Sequence, residues 1–264
     1  MSSKEVLRQV YKDLAPFSDA YQSDFVRFQK ALDFLTSKVN VAGKSVLDLG
    51  SGIGIMALAL QRLGAKAKGV DHFIFPTEKA NFYTIQHFNE IQNLWNKNQL
   101  EIVKGDITQT PLTFTDGSVD IILCDATIEH LLHSPKALFQ EAHRLLKPGG
   151  YFFVTTPNLA NLLRRIRFVF GRSPYWDLEN FFNQEDNFRG HRREYTLSEV
   201  VEMFSWSGFK IVKRGTKNTF FHPKQLLDIR KLPKLLAQLA TLIAYVMPKS
   251  RDMVFVLGRK WTKS

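Results

Sequence analysis

Short apolar runs alternate with longer amphipathic stretches along most of this chain. Val46-Leu47-Asp48-Leu49 is apolar apart from Asp48 and runs straight into Gly50-Ser51-Gly52-Ile53-Gly54. A short apolar run that ends in glycine reads as a buried strand followed by a turn. Ile55 to Arg62 then reads as a helix. Four more strand-like runs follow at 67–71, 100–107, 118–125 and 151–155. Helices fall between them at 77–98, ending near Trp95, and from Pro135 to Leu146, where Lys147-Pro148-Gly149-Gly150 breaks the pattern. Phe209 to Arg214 and Met253 to Leu257 read as two later strands. Strands alternating with helical stretches predict an α/β fold on a mostly parallel sheet.

The flanking segments follow other patterns. Residues 1–40 read as one or two helices, with Tyr11, Phe17, Tyr21, Phe25 and Phe28 on an apolar face. That face can cover a pocket or pack on the sheet. After the fifth strand comes a long irregular stretch with a basic, apolar helix (Leu162 to Phe170), Pro174-Tyr175-Trp176 and Phe181-Phe182. Long loops in compact domains are usually lids or binding loops. Thr196 and Glu199 form a capping box that opens the next helix, which ends near Ser207-Gly208. A last helix runs from Pro233 to Met247, nearly all apolar from Leu235 and flanked by Lys224, Arg230, Lys231, Lys234, Lys249 and Arg251. It is too short to span a bilayer but long enough to lie in its interface. A buried helix and a dimer face are the alternatives.

The glycine turn carries the first chemical information. Three glycines at every second position allow a tight turn and close approach of a ligand. The helix behind them aims its N-terminal amides at that ligand. A dinucleotide fingerprint needs a third glycine where Ile55 stands. Asp48 also disfavours a pyrophosphate and suits a cofactor that carries an ammonium group. The stretch resembles the first motif of class I S-adenosylmethionine-dependent methyltransferases. The Glu129-His130 and Leu145-Leu146-Lys147-Pro148-Gly149-Gly150 run resembles the same family. The likeness is closest over 44–157 and looser over 191–214, where His191 to Val200 and Gly208-Phe209 resemble bacterial enzymes acting on glycans, lipids or other small metabolites.

The resemblance implies a Rossmann-like seven-stranded sheet with helices on both faces and an antiparallel last strand between strands five and six. It implies an N-terminal helical cap over 1–40 and a cofactor domain over 41–264. That domain carries a lid over 157–195 and a basic, apolar helical insertion over 222–249. The implied cofactor is S-adenosylmethionine. Its expected contacts are Asp48, Gly50, Ser51, Gly52, Gly54, Asp71, Asp106, Ile107, Cys124 and Asp125. Asp71 lies 17 residues after Gly54, about where such folds place an acid on the ribose hydroxyls. Asp106 is the family's adenine-amino contact, with Ile107 against the ring.

Methyl transfer from a sulfonium is an in-line displacement that needs alignment, exclusion of water and, for a hydroxyl acceptor, a base. His130 is the first candidate base because its ordinary pKa is near neutral. Glu129 and His191 join it as catalytic candidates. His133, Arg189, Arg192, Arg193 and Tyr195 are candidates for holding the acceptor, the arginines through a phosphate or carboxylate. Ubiquinone-pathway O-methyltransferases carry an E-x-x-E-H motif with a metal; here its positions hold Ala126, Glu129 and His130. Ala126 departs from that pattern, so no metal is expected.

Charge then separates the two halves of the chain. Residues 1–156 hold 16 basic and 16 acidic side chains, and residues 157–264 hold 20 and 9. The net charge of +11 therefore lies entirely in the second half. An anionic partner is implied there, or simply a solubilising face. The one cysteine, Cys124, rules out a disulfide framework. No secretory signal is read at the N-terminus. The expected location is cytoplasmic, with peripheral contact at the inner membrane surface through 224–251. The favoured function is O-methylation of a small-molecule, sugar or lipid-linked acceptor. An RNA methyltransferase is the second reading, weakened by the absence of an Asn/Asp-Pro-Pro-aromatic motif after strand four. A non-catalytic S-adenosylmethionine-binding regulator is the third.

Overall fold

The apolar runs become the seven strands of one sheet. In a computed structural model they are β1 (Ser45–Leu49), β2 (Lys66–Asp71), β3 (Glu101–Lys104), β4 (Val119–Asp125), β5 (Leu146–Pro157), β6 (Phe209–Lys217) and β7 (Met253–Lys260). The structure describes residues 2–72, 85–175, 178–183, 190–219 and 247–261. Strand order is β3-β2-β1-β4-β5-β7-β6. Strands β1 to β5 pair in parallel, and β7 runs antiparallel between β5 and β6. The described helices are α1 (Ser3–Asp13), α2 (Phe25–Thr36), α3 (Ile55–Arg62), α4 (Ile85–Lys97), α5 (Lys136–Leu145), α6 (Leu162–Val169), α7 (Leu178–Phe182) and α8 (Leu197–Trp206). Among the described residues, no helix is long and apolar enough to cross a membrane.

Strand periodicity divides the core in two. Successive side chains point to opposite faces, so a central strand must be apolar on both. On β4, Ile121 and Leu123 join the α1–α3 face, while Ile122 and Cys124 join the α5–α8 face. On β7, Met253, Phe255 and Leu257 take the first face, and Val254 and Val256 the second. Phe34 of α2 meets Phe153 and Phe255 at 5.7 and 5.4 Å between ring centroids. Across the sheet, Phe204 of α8 packs with Phe139, Phe152 and Phe209 at 5.2–5.5 Å.

Several boundaries differ from the sequence expectation. β5 begins at Leu146, before the Lys147-Pro148-Gly149-Gly150 run that was expected to precede it. Leu146 pairs with Val119, and the ladder resumes at Ile121 with Tyr151, so the glycines sit in an irregularity within the strand. β3 is shorter than expected, because Asp106 folds back to accept from the Thr108 amide and hydroxyl. The capping box at Thr196 and Glu199 is present, with a second at Ser2 and Glu5. The helix expected over 77–98 is described only as α4, and the rest lies outside the described residues. The apolar helix over 233–247 lies outside them too, apart from Met247.

α1 packs on α3, and α2 lies on the sheet at β7 while its first turn reaches the end of β4. The N-terminal segment therefore both covers the sheet and reaches the pocket described below.

Gly258 shows how tightly the second face is packed. A Cβ there would lie 2.4 Å from Phe204 Cδ1 and 2.7 Å from Phe204 Cε1. Gly258→Ala is expected to destabilise the protein by roughly 1–3 kcal/mol through overpacking. A urea titration checks this: the midpoint falls with an unchanged slope.

Candidate active site

The strand order reverses between β1 and β4, and an α/β sheet opens a crevice at such a point. Here the crevice is floored by the turn after β1. Gly50, Gly52 and Gly54 have φ of +78°, +52° and +87°. A Cβ at Gly50 would lie 2.4 Å from Thr127 Cγ2, and one at Gly54 2.6 Å from Ile102 Cδ1. Any side chain at either position would meet both strain and a clash. The Gly50 and Ser51 amides donate to Val70 O at 2.8 and 3.1 Å. Trp95 of α4 donates from Nε1 to Ile53 O at 2.9 Å and holds the turn from outside.

Three acids ring this turn. Asp71, at the end of β2, accepts from the Gly52 amide at 2.8 Å. Asp48 is 2% exposed, and its Oδ1 has no hydrogen-bond partner. Burial, and then the charges of Asp125 and Asp71, push its carboxyl well above the ordinary range. Asp125 closes the far side at the end of β4. Asp48 and Asp125, with Tyr21, Arg27, Phe28 and Ala126, enclose a cavity of about 180 Å³, while Asp71 stands outside its lining and holds the Gly52 amide.

Arg27 has no sequence motif to announce it. It comes from α2, is 7% exposed, and pairs with both Asp24 and Asp125. Burial works against its charge, but the two acids overcome that and hold the guanidinium protonated. Asp125 also accepts from Thr155 of β5. The cavity thus offers the partnerless Asp48 carboxyl oxygen as an acceptor and the Arg27 guanidinium as a cation, groups that suit the ammonium and carboxylate of an amino-acid-bearing cofactor. The partnerless Asp48 Oδ1 and Ser51 Oγ are the donor and acceptor sites such a group would satisfy.

Other expected cofactor contacts are placed as follows. Asp106 and Ile107 sit just past β3, with Ile107 buried against the core. Asp106 already accepts from Thr108 and Gln109. Burial opposes its ionisation, but the Thr108 bonds outweigh burial and hold it below the ordinary range. Cys124 is a correction. It is 0% exposed, belongs to the α5–α8 core and does not line the cavity. Asp125 does line it, and neighbours on a strand point to opposite faces.

The catalytic candidates lie just beyond β4. A short 3-10 turn carries Ile128–His130. Glu129 is 1% exposed; its Oε2 accepts from Thr156 Oγ1 at 3.0 Å, and its Oε1 has no partner. Burial pushes its carboxyl up to about 7. The Glu129 carbonyl accepts from the Arg192 amide at 2.8 Å, which fastens the 190–195 segment to this turn. The His130 and His191 rings consequently meet edge to face at 4.8 Å. His191 Nδ1 contacts Glu194 Oε1 at 2.6 Å, and that oxygen also accepts from Arg164 of α6. Burial opposes protonation of His191, but the Glu194 bond and the Glu129 charge prevail and raise its pKa.

Glu194 and Arg27 are the candidate site residues that sequence reasoning missed. Both are buried charges; their partners stand 98 positions away for Arg27–Asp125 and 30 for Arg164–Glu194. The sequence offers no local sign of either pairing.

The expectation of no metal compared Ala126 with Glu129 and His130 alone. The fold adds His191, and ligand atoms of Glu129, His130 and His191 lie within 4.8 Å of one another. Among the described residues this is the one such group.

The acceptor candidates split. His133, Arg192, Arg193 and Tyr195 all line a second cavity of about 900 Å³, together with Leu131, Met203 and Trp206. It shares no lining residue with the cofactor cavity, and the Glu129–His130 turn falls in the chain between Ala126 of the one lining and Leu131 of the other. Arg193 is held by Glu199 at 3.0 Å and lies over the Tyr195 ring. Arg189 lies outside the described residues.

Asp71 is testable at once. Asp71→Ala is expected to weaken S-adenosylmethionine binding by roughly 1.5–3 kcal/mol through lost charge-assisted bonds. Calorimetric titration reads this directly, and unchanged affinity would remove Asp71 from the site.

Comparison with known proteins agrees with this geometry. A family model described as a methyltransferase domain matches residues 21–214. A ubiquinone biosynthesis O-methyltransferase of Xanthomonas oryzae is 29% identical over 127 residues, 48% of this chain and 48% of that protein. One from Nitrosococcus oceani is 32% identical over 127 residues, 48% and 49%. A sterol 24-C-methyltransferase of Gibberella zeae is 36% identical over 115 residues, 42% of this chain and 27% of that protein. The aligned region thus spans about half the length, or less, of these curated relatives. Among solved structures, a methyltransferase from Aquifex aeolicus has a TM-score of 0.52 at 17% identity and covers 97% of this chain and 98% of its own. A Burkholderia thailandensis 1,6-didemethyltoxoflavin-N1-methyltransferase, solved with S-adenosylhomocysteine, has a TM-score of 0.55 at 14% identity, covering 98% and 88%. These structural likenesses carry the fold. The sheet order, the acid-ringed glycine turn and the family match over 21–214 together show that the chain belongs to the class I S-adenosylmethionine-dependent methyltransferases.

Proposed function

We propose that this protein transfers a methyl group to an oxygen of a small acceptor that has an apolar body and an anionic group. The observation that carries this reading is the buried Glu129 carboxyl, raised to about 7 and grouped with two histidines, one residue turn from the Asp125 end of the cofactor cavity. A methyl transfer to oxygen needs a base for the acceptor proton; the Glu129, His130 and His191 group is poised to supply one near neutral pH. Relatives that carry the name O-methyltransferase add support.

When bound, S-adenosylmethionine supplies an electrophilic methyl group on a sulfonium. Asp48 would hold its ammonium, Arg27 its carboxylate and Asp71 its ribose hydroxyls. His130, exposed at the turn, would take the proton of the acceptor hydroxyl. His191 stands against His130, and Glu194 fixes its ring and stabilises its protonated form, as a carboxylate does for the base of a hydrolytic triad. Arg192 and His133 steer the acceptor's anionic group, and the cavity by Trp206 takes its remote apolar part. The lid role of 157–195 and membrane contact through 224–251 belong to the same reading.

The test is release of S-adenosylhomocysteine with phenolic, sugar and lipid-linked hydroxyl acceptors. His130→Ala and His191→Ala are expected to lower kcat by about 100-fold or more, with cofactor affinity unchanged. Release with RNA alone would replace this reading with nucleic-acid methylation. No release with any acceptor, beside intact cofactor binding, would leave a binding protein. Activity is expected to persist in a chelator; loss restored by magnesium would make the same three side chains metal ligands.

The raised Glu129 carboxyl has two pH consequences. Its ionised form would stabilise the proton taken up by the adjoining histidines, so kcat/KM is expected to rise as pH passes through about 7. Its folded value lies above its unfolded one, so it favours the fold most fully below the unfolded value of 4.5 and loses that contribution as pH rises through about 7. Glu129→Gln is therefore expected to lose the pH-dependent limb of activity yet gain thermal stability relative to wild type above neutrality. The gain is on the order of 3 kcal/mol, read as a difference in Tm between acidic and basic buffers.

A further inference from the structure

Exposed apolar side chains are concentrated in one excursion of the chain. Among the described residues, thirteen large hydrophobics are exposed, and seven of them fall between 168 and 182. Phe168, Val169 and Phe170 are 70%, 79% and 76% exposed at the end of α6. Leu178, Phe181 and Phe182 of α7 are 74%, 59% and 81% exposed. Scattered exposed hydrophobics are ordinary, but three consecutive ones near three-quarters exposure are not.

The charge around the α6 tip has one sign. Arg165, Arg167 and Arg172 flank Phe168 to Phe170, and residues 157–175 contain no acid. Arg164, on the first turns of α6, is buried against Glu194. The helix is therefore anchored to the body at one end and carries its apolar triplet outward at the other, with Arg165 bonded through Nε to the Ala160 carbonyl and Arg167 to that of Ser173.

We infer that the tip of α6 docks on an anionic lipid surface. Aliphatic and aromatic side chains enter the acyl boundary, while arginine stems snorkel so that their guanidinium groups reach the lipid phosphates. Charge and apolarity select this occupant. A second copy of the chain, docked by the same face, would bring three arginines against three. A nucleic acid gains nothing from Val169, which has no ring to stack. The anchor also gives docking a route to the catalytic group: Arg164 and His191 share the same Glu194 oxygen. A lipid surface that reorients α6 thus acts on the carboxylate that holds His191. The docking inference itself does not depend on the methyl-transfer reading.

Co-sedimentation of the full chain with phosphatidylcholine vesicles, with and without phosphatidylglycerol, tests it. Binding to the anionic vesicles is expected, falling with added salt. Phe168→Ser with Phe170→Ser should weaken that binding roughly tenfold or more. Arg165→Gln, Arg167→Gln and Arg172→Gln together should remove the preference for phosphatidylglycerol. Trp261→Ser changes a 56% exposed aromatic elsewhere and should leave binding unaltered. Circular dichroism and S-adenosylmethionine affinity check that each variant is folded. Wild-type binding by the Phe168/Phe170 variant would overturn the inference, as would no binding by the wild type. Conversion of a dimer to a monomer by that variant, without vesicle binding, would assign the face to a second copy and overturn it too.

Discussion

The turn after β1 is the constraint on which the site depends. Its backbone passes through left-handed conformations at Gly50, Gly52 and Gly54. Thr127 and Ile102 leave no room for a side chain at the first and last of these. Amides of this turn then reach Val70 and Asp71 of the neighbouring strand. One backbone path therefore starts α3, positions Asp71 and keeps the floor of the cavity open. Replacing the glycines would disturb the helix, the acid and the pocket together.

Two buried ion pairs extend this frame. Arg27–Asp125 ties the N-terminal segment to the end of β4, and Arg164–Glu194 ties α6 to the segment that carries His191. Buried pairs are weak sources of net stability, because desolvation offsets most of their attraction. Their value here is in placement. Breaking either leaves an uncompensated buried charge, so the segments are held in one arrangement. Each pair also adjoins a proposed functional group: Asp125 lines the cofactor cavity, and Glu194 contacts His191.

Distance along the sheet explains how the two cavities divide the work. The smaller lies at the strand-order reversal, where backbone amides and acids converge. The larger lies over α5 and α8, where arginines meet aromatic and aliphatic side chains. The Glu129–His130 turn falls in the chain between Ala126 of the one lining and Leu131 of the other, and it is pinned on one side by Thr156 and on the other by the Arg192 amide.

What the sequence determined by itself was local and periodic. Alternation of apolar runs and helical stretches set the parallel sheet, because its central strands bury both faces. The glycine spacing, with Asp48 before it and Asp71 after it, marked the cofactor, because that chemistry is written within one strand, one turn and the next strand. The Thr196–Glu199 capping box was equally legible for the same reason. Tertiary structure decided whatever needed partners from far along the chain. No local pattern shows that Arg27 meets Asp125, that Glu194 meets Arg164, or that His191 meets His130. The inward turn of Cys124 and the start of β5 at Leu146 followed from strand pairing, which sets side-chain facing and register together. A buried charge is recognisable only by its partner, and folding alone chooses that partner.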